Sequence, residues 1–397
     1  MGRPTKEALL AGVDACLLWI ENQMLSFGRG SVGVYERLRI DIGRRVAWTR
    51  PDCNAEIARV LYRRNRADQK DIYENIVSWL LSTRDTDKES RWFGSFPFYL
   101  VDGEPLGGLS GSARFQNDNG KVLIALLDLY EKTGEDRFRQ AAIDLADYWV
   151  SIQTPEGFYY RNDGGVTQSL YEGPCFLFWL ACGISGVYAL TEEAKYKESV
   201  QKALSWLLPL QKENGRFTTT YERMKSEDWR PPSSETAIAV FCLARMQKWM
   251  PDLDLEEPLL RAAGWLCRMQ HPCGGIMGSD EESLPASLQT DPALCDLVYT
   301  QGFALMGLCE LYSLTKEELY RTAAEDLADF LLRIQCKNES PFWDGAWRGS
   351  YHPDKEIWDG RANQNNEIDE GGMYSIYTGW CASTIMDGLL SVADWQD

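Results

Sequence analysis

The chain has 397 residues, of which 44% are apolar and 25% are charged, a balance typical of a globular protein with a large core. Its formal net charge is −18. An acidic field of this size repels nucleic acid and anionic membrane surfaces, so we expect neither as a partner. The length alone fits either two domains or one large repeat domain.

The cysteines and histidines argue against a disulfide-bonded scaffold and against a metal-binding protein. There are eleven cysteines, an odd number, and most lie in apolar helical segments, which is typical of buried thiols and not of a disulfide framework. The two histidines, His271 and His352, are far apart in the sequence, and there is no CxxC or HExxH motif. We therefore expect no metal site and no cofactor.

Two segments of the sequence bear on localisation. The first residues form an amphipathic helix pattern without the apolar core and cleavage site of a signal peptide, so we expect a cytoplasmic protein. The segment Pro174 to Leu190 carries no charge and is marginally long enough to span a bilayer. The repeat described next favours a buried core helix for this segment.

Two types of helix alternate along the chain. The first type has charges on one side and apolar residues on the other, which predicts a helix in contact with solvent. It is found at Lys6–Asn22, Gln69–Ser82, Asp136–Gln153, Glu193–Gln211, Glu257–Gln270 and Glu317–Gln335. The second type is apolar nearly all round and must be enclosed. It is found at Ala55–Tyr62, Lys121–Tyr130, Cys175–Leu190, Thr236–Met246, Leu297–Leu311 and Met373–Val392.

Six enclosed helices ringed by six half-exposed ones predict an all-α fold, an (α/α)6 barrel or toroid of six helical hairpins, in a single domain over residues 1–397. Turns from an enclosed to an outer helix are short, whereas links in the other direction are long, such as Arg84 to Ala113. Long loops in a compact domain are usually functional. We therefore expect the functional site at the end where the enclosed helices begin.

Four outer helices end on a glutamine that precedes a turn with glycine: Gln153, Gln211, Gln270 and Gln335. Glycine permits the left-handed turn after a helix, and the glutamine amide can cap backbone groups of the neighbouring hairpin. Because the pattern recurs, we interpret it as structural.

These glutamine–glycine turns together with six apolar helices resemble the α/α-toroid proteins. That group includes six-hairpin glycosidases, polysaccharide lyases, sugar epimerases, terpene cyclases and prenyltransferases. The chain lacks the DxDD motif of squalene-type cyclases and the zinc ligands of prenyltransferases. It also has too few histidines for the N-acylglucosamine epimerase type, and Ala346–Gly349 only loosely echoes the WxRG stretch of unsaturated glucuronyl hydrolases. The resemblance implies the fold and not one activity.

Carboxylates, Asp296 among them, cluster where the enclosed helices begin. Each alone could cap a helix, but together they would converge on one barrel mouth. Cleaving a glycosidic bond needs two carboxyl groups on opposite sides of it. We predict four catalytic candidates, Asp118 in the polar run from Arg114 to Gly120, then Glu235, Glu370 and Asp52.

Aromatic, amide and arginine side chains near these acids suit a polyhydroxyl ligand better than an isoprenoid. The predicted substrate-binding residues are Arg50, Arg114, Asn117, Glu172, Trp347, Arg348, Tyr351, Trp358, Asp369, Tyr374 and Tyr377. The first hypothesis is a glycoside hydrolase acting on an oligosaccharide.

Three alternatives stay open at this point. The first is a polysaccharide lyase or uronyl-active enzyme, with a tyrosine base and an arginine that neutralises the uronate. The second is a terpene-cyclase-like enzyme, which the polar mouth disfavours. The third is a non-catalytic sugar-binding protein, which would tolerate substitution of all the acids.

Overall fold

The computed structural model describes residues 3–26, 32–101, 104–105, 113–159, 162–163, 177–217, 232–280, 292–360 and 372–396. Within these residues, twelve α-helices alternate between an outer and an inner ring. The outer helices bury one side and expose charges on the other. They are α1 (Lys6–Trp19), α3 (Lys70–Ser82), α5 (Asp136–Ser151), α7 (Ala194–Leu207), α9 (Glu256–Arg268) and α11 (Glu318–Ile334).

The inner helices are buried over most of their length. They are α2 (Pro51–Arg64), α4 (Gln116–Thr133), α6 (Leu177–Thr191), α8 (Pro232–Trp249), α10 (Gly302–Thr315) and α12 (Ser383–Ala393). Each inner helix packs on the next, and α12 packs on α2, so the ring closes. This confirms the predicted (α/α)6 toroid. None of the helices in the described ranges is long and apolar enough to cross a bilayer.

The glutamine–glycine turns join neighbouring outer helices. Gln335 Nε2 donates to Gly345 O at 2.7 Å and to Gly12 O of α1 at 2.8 Å. Gln270 makes the same pair of bonds, to Gly274 O and to Ala323 O of α11, each at 2.9 Å. Gln153 and Gln211 repeat the arrangement towards α7 and α9. The turn glycines have positive φ, such as +93° at Gly345, and a Cβ there would overlap a carbonyl of the next outer helix.

The structure corrects the last predicted helix. Met373–Val392 is not one helix: Ser375–Tyr377 forms strand β10, and the chain then passes through a distorted turn at Thr378–Ala382 before α12 begins. β10 pairs antiparallel with β1 (Tyr35–Arg39), which also pairs with β2 (Arg44–Thr49). The hairpin of β1 and β2 therefore provides a hydrogen-bonding partner for the backbone of β10. The apolar pattern of the sequence alone does not reveal this pairing.

Short strands lie in the remaining links at the same end of the barrel. β3 (Leu100–Val101) and β4 (Glu104–Pro105) extend the sheet in the order β10-β1-β2-β3-β4. β5 (Arg114–Phe115) pairs with β6 (Asn162–Asp163). β7 (Cys295–Asp296), β8 (Ser350–His352) and β9 (Ile357–Trp358) form a third sheet. These strands fix the connecting segments that lead into the inner helices.

An ion-pair network closes the opposite end of the ring. Arg59 of α2 lies 3.0 Å from Asp128 of α4 and 2.8 Å from Asp387 of α12. Arg245 of α8 also binds Asp128. Burial alone would raise the pKa of Asp128, but Arg245 and Arg59 outweigh it and lower that pKa to about 2. The carboxylate thus stays charged and joins three inner helices.

The glutamine contacts give a testable contribution to stability. Replacing Gln335 by Ala removes two buried hydrogen bonds and leaves two carbonyl groups without them, so we expect the free energy of unfolding to fall by about 2 kcal/mol. Urea denaturation measures this. Gln201→Ala, at an exposed position on α7, is the matched control and should change stability by less than about 0.5 kcal/mol. Equal effects of the two substitutions would contradict the joining role.

Candidate active site

One buried arginine holds three carboxylates at the barrel mouth. Arg50 precedes Pro51, the first residue of α2, and its backbone is extended. Its guanidinium lies 2.7 Å from Glu36 of β1, forms two bonds with Asp52 at 3.0 and 2.9 Å, and lies 2.8 Å from Asp118 of α4. All four side chains are buried. The contacts bring a strand and two inner helices to one point.

A second layer lies one helical turn deeper. Glu56 follows Asp52 by four residues and Lys121 follows Asp118 by three, so each pair shares a helix face. Lys121 Nζ lies 2.9 Å from Glu56 Oε1 and 3.9 Å from Asp52 Oδ2. We call Glu36, Arg50, Asp52, Glu56, Asp118 and Lys121 the mouth cluster. It contains four acids and two bases, all buried.

Trp380 links the two layers. Its indole N–H donates to Asp52 Oδ2 at 2.7 Å, and its backbone N–H donates to Glu56 Oε2 at 3.1 Å. The Lys121 ammonium lies 3.6 Å from the centre of its ring. Trp380 has a φ of +28°, which is strained for a residue with a side chain, and such strain persists where surrounding contacts fix it.

Aromatic rings fill the barrel axis below Lys121. Trp179 of α6 lies with its ring centre 5.3 Å from that of Phe241 of α8 and 5.2 Å from that of Phe303 of α10. Phe303 in turn lies 5.9 Å from Trp380. We call these four residues the aromatic floor. Because all the inner helices point their side chains at one axis, large rings are needed to fill it.

Two acids in this region, Asp52 and Asp296, have pKa values that are shifted in opposite directions. Burial would raise the pKa of Asp52, but Arg50 and Lys121 outweigh it and hold that pKa below its ordinary value. Asp296, which precedes α10, shows the opposite: burial raises its pKa to about 6, although Tyr299 N–H and the Thr300 hydroxyl donate to it at 2.8 and 3.0 Å. The pKa of one acid is therefore lowered while that of the other is raised.

Asp296 is connected to the mouth cluster through Tyr299, whose backbone N–H donates to the Asp296 carboxylate. The Tyr299 ring packs edge-on against Trp380, with ring centres 5.5 Å apart. Trp380 in turn binds Asp52. The helix-start position of Asp296 was part of the sequence pattern, but its raised pKa depends on burial and could not be read from the sequence.

Four of the predicted site residues come together in the structure. Arg50, Asp52 and Asp118 form the first layer, and Asn117 Nδ2 donates to Asp118 Oδ1 at 3.0 Å. Glu235 is fully buried in the first turn of α8, an inner helix separated from α4 by α6. The predicted residues Glu172, Asp369 and Glu370 lie outside the described residues.

Several predicted residues have other partners. Trp347 is fully buried, and its indole N–H donates to Leu331 O at 2.8 Å, so it is a core residue that a substrate cannot reach. Arg114 donates to Ser95 Oγ at 3.0 Å. The Tyr377 hydroxyl accepts from Arg37 at 2.5 Å, and Tyr374 O accepts from Ile40 N–H at 3.0 Å. These contacts hold the surrounding strands and loops together.

Three other predicted residues form a separate aromatic patch. Tyr351 packs on Trp358 and on Phe330 of the outer helix α11, with ring centres 5.2 and 5.7 Å apart. The Arg348 guanidinium lies near the Trp358 ring and pairs with Glu339. Phe330 belongs to the outer ring, and Tyr351 pairs with Cys295 beside Asp296, so this patch lies between the outer wall and the segment that leads into α10.

Sequence reasoning missed Lys121 and Trp380. Lys121 was the first residue of the predicted enclosed helix, where a single charge in an apolar run was a signal that a buried partner must exist. Trp380 was assigned to a regular helix. Among the described residues, no three His, Cys, Asp or Glu side chains are arranged to hold a metal ion.

The raised pKa of Asp296 makes stability depend on pH. Folded Asp296 keeps its proton up to about pH 6, whereas in the unfolded chain it loses it near pH 4. The folded chain therefore binds more protons in this window, so its contribution lowers stability as pH rises through it. We expect Asp296→Asn to gain stability relative to the original protein between pH 4 and 6.5.

Urea denaturation at four pH values in this range measures that difference. Asp71→Asn, at an exposed site on α3, is the control and should give a difference that does not change with pH. A constant difference for Asp296→Asn would contradict the raised pKa.

No protein-family model and no curated protein matches the sequence. The fold is similar to solved structures. Cellobiose 2-epimerase from Bacillus thermoamylovorans is 12% identical, with a TM-score of 0.72 over 98% of this chain and 99% of that chain. The GH76 α-mannanase of Bacteroides thetaiotaomicron is 12% identical, with a TM-score of 0.67 over 98% and 97%. A D-mannose isomerase is 14% identical, with a TM-score of 0.68 over 99% and 98%. The chain thus has the α/α-toroid fold.

Proposed function

We propose that the protein is a carbohydrate-active enzyme, and specifically a glycoside hydrolase that cleaves an oligosaccharide by acid and base catalysis. The observation that carries the proposal is that two carboxyl groups in different environments lie where the inner helices begin: Asp118, 2.8 Å from Arg50, and Asp296, whose pKa burial raises to about 6. Pairs of acids whose pKa values are pushed apart are the arrangement that glycosidic cleavage requires.

Asp296 is the proposed general acid. A pKa of about 6 keeps a large share of this group protonated in mildly acidic solution, so it can donate a proton to the leaving glycosidic oxygen there. Asp118 is the proposed base or nucleophile. It lies 2.8 Å from Arg50 Nη2, whose positive charge is the counter-ion of its carboxylate.

Asp52, Glu56 and Arg50 act as positioning groups in this proposal. Asp52 has bonds from Arg50 and from the Trp380 indole, and Glu56 has bonds from Trp380 N–H and the Ser383 hydroxyl. Carboxylates engaged in this way are well placed to orient their neighbours but poorly placed to attack a sugar. Their charge also keeps Lys121 in place above the aromatic floor.

The positions of the histidines weigh against the alternative suggested by two of the similar folds, a sugar epimerase or isomerase with a histidine base. His271 lies in the turn after α9, where its ring accepts from Cys273 N–H and lies 3.2 Å from Asp354. His352 lies in β8, which pairs with β9. Neither is at the start of an inner helix. Among the described residues, the mouth cluster therefore offers carboxyl groups, Arg50 and Lys121, and no histidine.

The proposal predicts cleavage of a sugar. Purified protein is incubated with neutral, uronic and unsaturated oligosaccharides, and new reducing ends, ultraviolet absorbance and changes of sugar configuration are recorded. We expect new reducing ends without a rise in absorbance. A rise in absorbance would indicate a lyase, and a change of configuration without cleavage would indicate an epimerase. Either result, or no reaction on any sugar, would contradict the hydrolase proposal.

On a substrate found in that screen, Asp118→Asn should lower kcat by at least about a hundredfold while the far-ultraviolet circular dichroism stays unchanged, because an amide cannot act as base or nucleophile. Asp71→Asn on α3 makes the same chemical change at an exposed site and should retain full activity. Full activity of Asp118→Asn would remove this residue from the mechanism.

A further inference from the structure

The barrel is blocked below the mouth cluster. The aromatic floor of Trp179, Phe241, Phe303 and Trp380 crosses the axis, and the Lys121 ammonium lies within 6.0 Å of three of the ring centres. All four aromatic side chains are buried. The mouth is therefore closed from beneath by rings from three inner helices and from the turn that precedes α12.

A separate cavity lies at the other end of the barrel. It has a volume of about 330 Å³ and is lined by residues of the closing ion-pair network, such as Arg59, Asp128 and Arg245. Its lining includes Phe241 but not Lys121 or Trp179. Phe241 thus lies between the two ends, so a sugar chain cannot pass along the axis through the described part of the barrel.

Buried polar atoms without partners lie in the same layer of the barrel. The indole N–H of Trp179 has no hydrogen-bond partner in the described structure, although its side chain is only 2% exposed. The same is true of Gln116 Oε1 and Ser234 Oγ, in the first turns of α4 and α8. Leaving a buried polar group without a bond is unfavourable, so these groups at the starts of α4, α6 and α8 are available as contacts for a polar ligand.

We infer that this site binds the terminal ring of a sugar chain, with Trp179 N–H as a donor to the substrate, and that the enzyme cleaves at chain ends. A ring inside a chain has neighbours on two sides, and both must leave the site, whereas a terminal ring has only one. The mouth-cluster side chains are buried, so a ring must enter deeply to reach them. The aromatic floor then packs against the apolar face of that ring. This inference rests on the proposed hydrolase activity.

The first products that the enzyme releases test where cleavage occurs. A pentasaccharide of the type cleaved in the screen is digested to about 5% conversion and the products are separated by chromatography. We expect a monosaccharide and a tetrasaccharide only. Early disaccharide and trisaccharide would overturn cleavage at chain ends while leaving the hydrolase proposal intact. Absence of cleavage on every sugar would instead refute the hydrolase proposal.

A pair of tryptophan substitutions tests the donor. Trp179→Phe keeps an aromatic ring and removes the N–H, and the loss of one hydrogen bond should raise KM by about three- to tenfold. Trp149→Phe on the outer helix α5 is the matched control, because its indole is equally buried and also has no hydrogen-bond partner among the described residues. Its KM should stay within about twofold of the original. Equal KM values for the two variants would overturn the substrate contact.

Discussion

The guanidinium of Arg50 is the constraint on which the mouth of the barrel depends. Three buried carboxylates lie within hydrogen-bonding distance of it, and each belongs to a different segment: a strand, the start of α2 and the start of α4. Charges of one sign cannot be buried together without a counter-charge. Arg50 and Lys121 supply that counter-charge, and they thereby fix where the first two inner helices begin relative to the sheet.

The shell and the site of this protein are built by different means. The shell repeats one device, a glutamine that bonds to its own turn and to the next outer helix, with a glycine that allows close approach. The site uses residues that do not repeat, and it includes a strained tryptophan, buried charges and polar atoms without partners. These features cost stability, and the regular shell around them is what keeps them in place.

The sequence predicted the shell well because periodicity reports burial directly: one-sided helices lie outside and apolar ones inside. It also brought Arg50, Asp52, Asn117 and Asp118 together, since all lie at inner helix starts. It failed where structure depends on partners that are distant in sequence. Strand β10 pairs with β1, more than 300 residues away, so Trp380 was assigned to a helix. Trp347 was taken for a ligand contact because aromatic residues in long loops look alike whether buried or exposed.

The central claim is that the charges of the mouth cluster serve chemistry as well as holding the inner helix starts, and a double substitution of Glu56 and Lys121 tests it most directly. Glu56→Gln with Lys121→Met removes an ion pair without leaving a charge alone, which often leaves stability unchanged or raises it. The account predicts an unfolding free energy at least equal to that of the original protein, together with a loss of kcat/KM of at least about a hundredfold. Retained activity with a large loss of stability would contradict it.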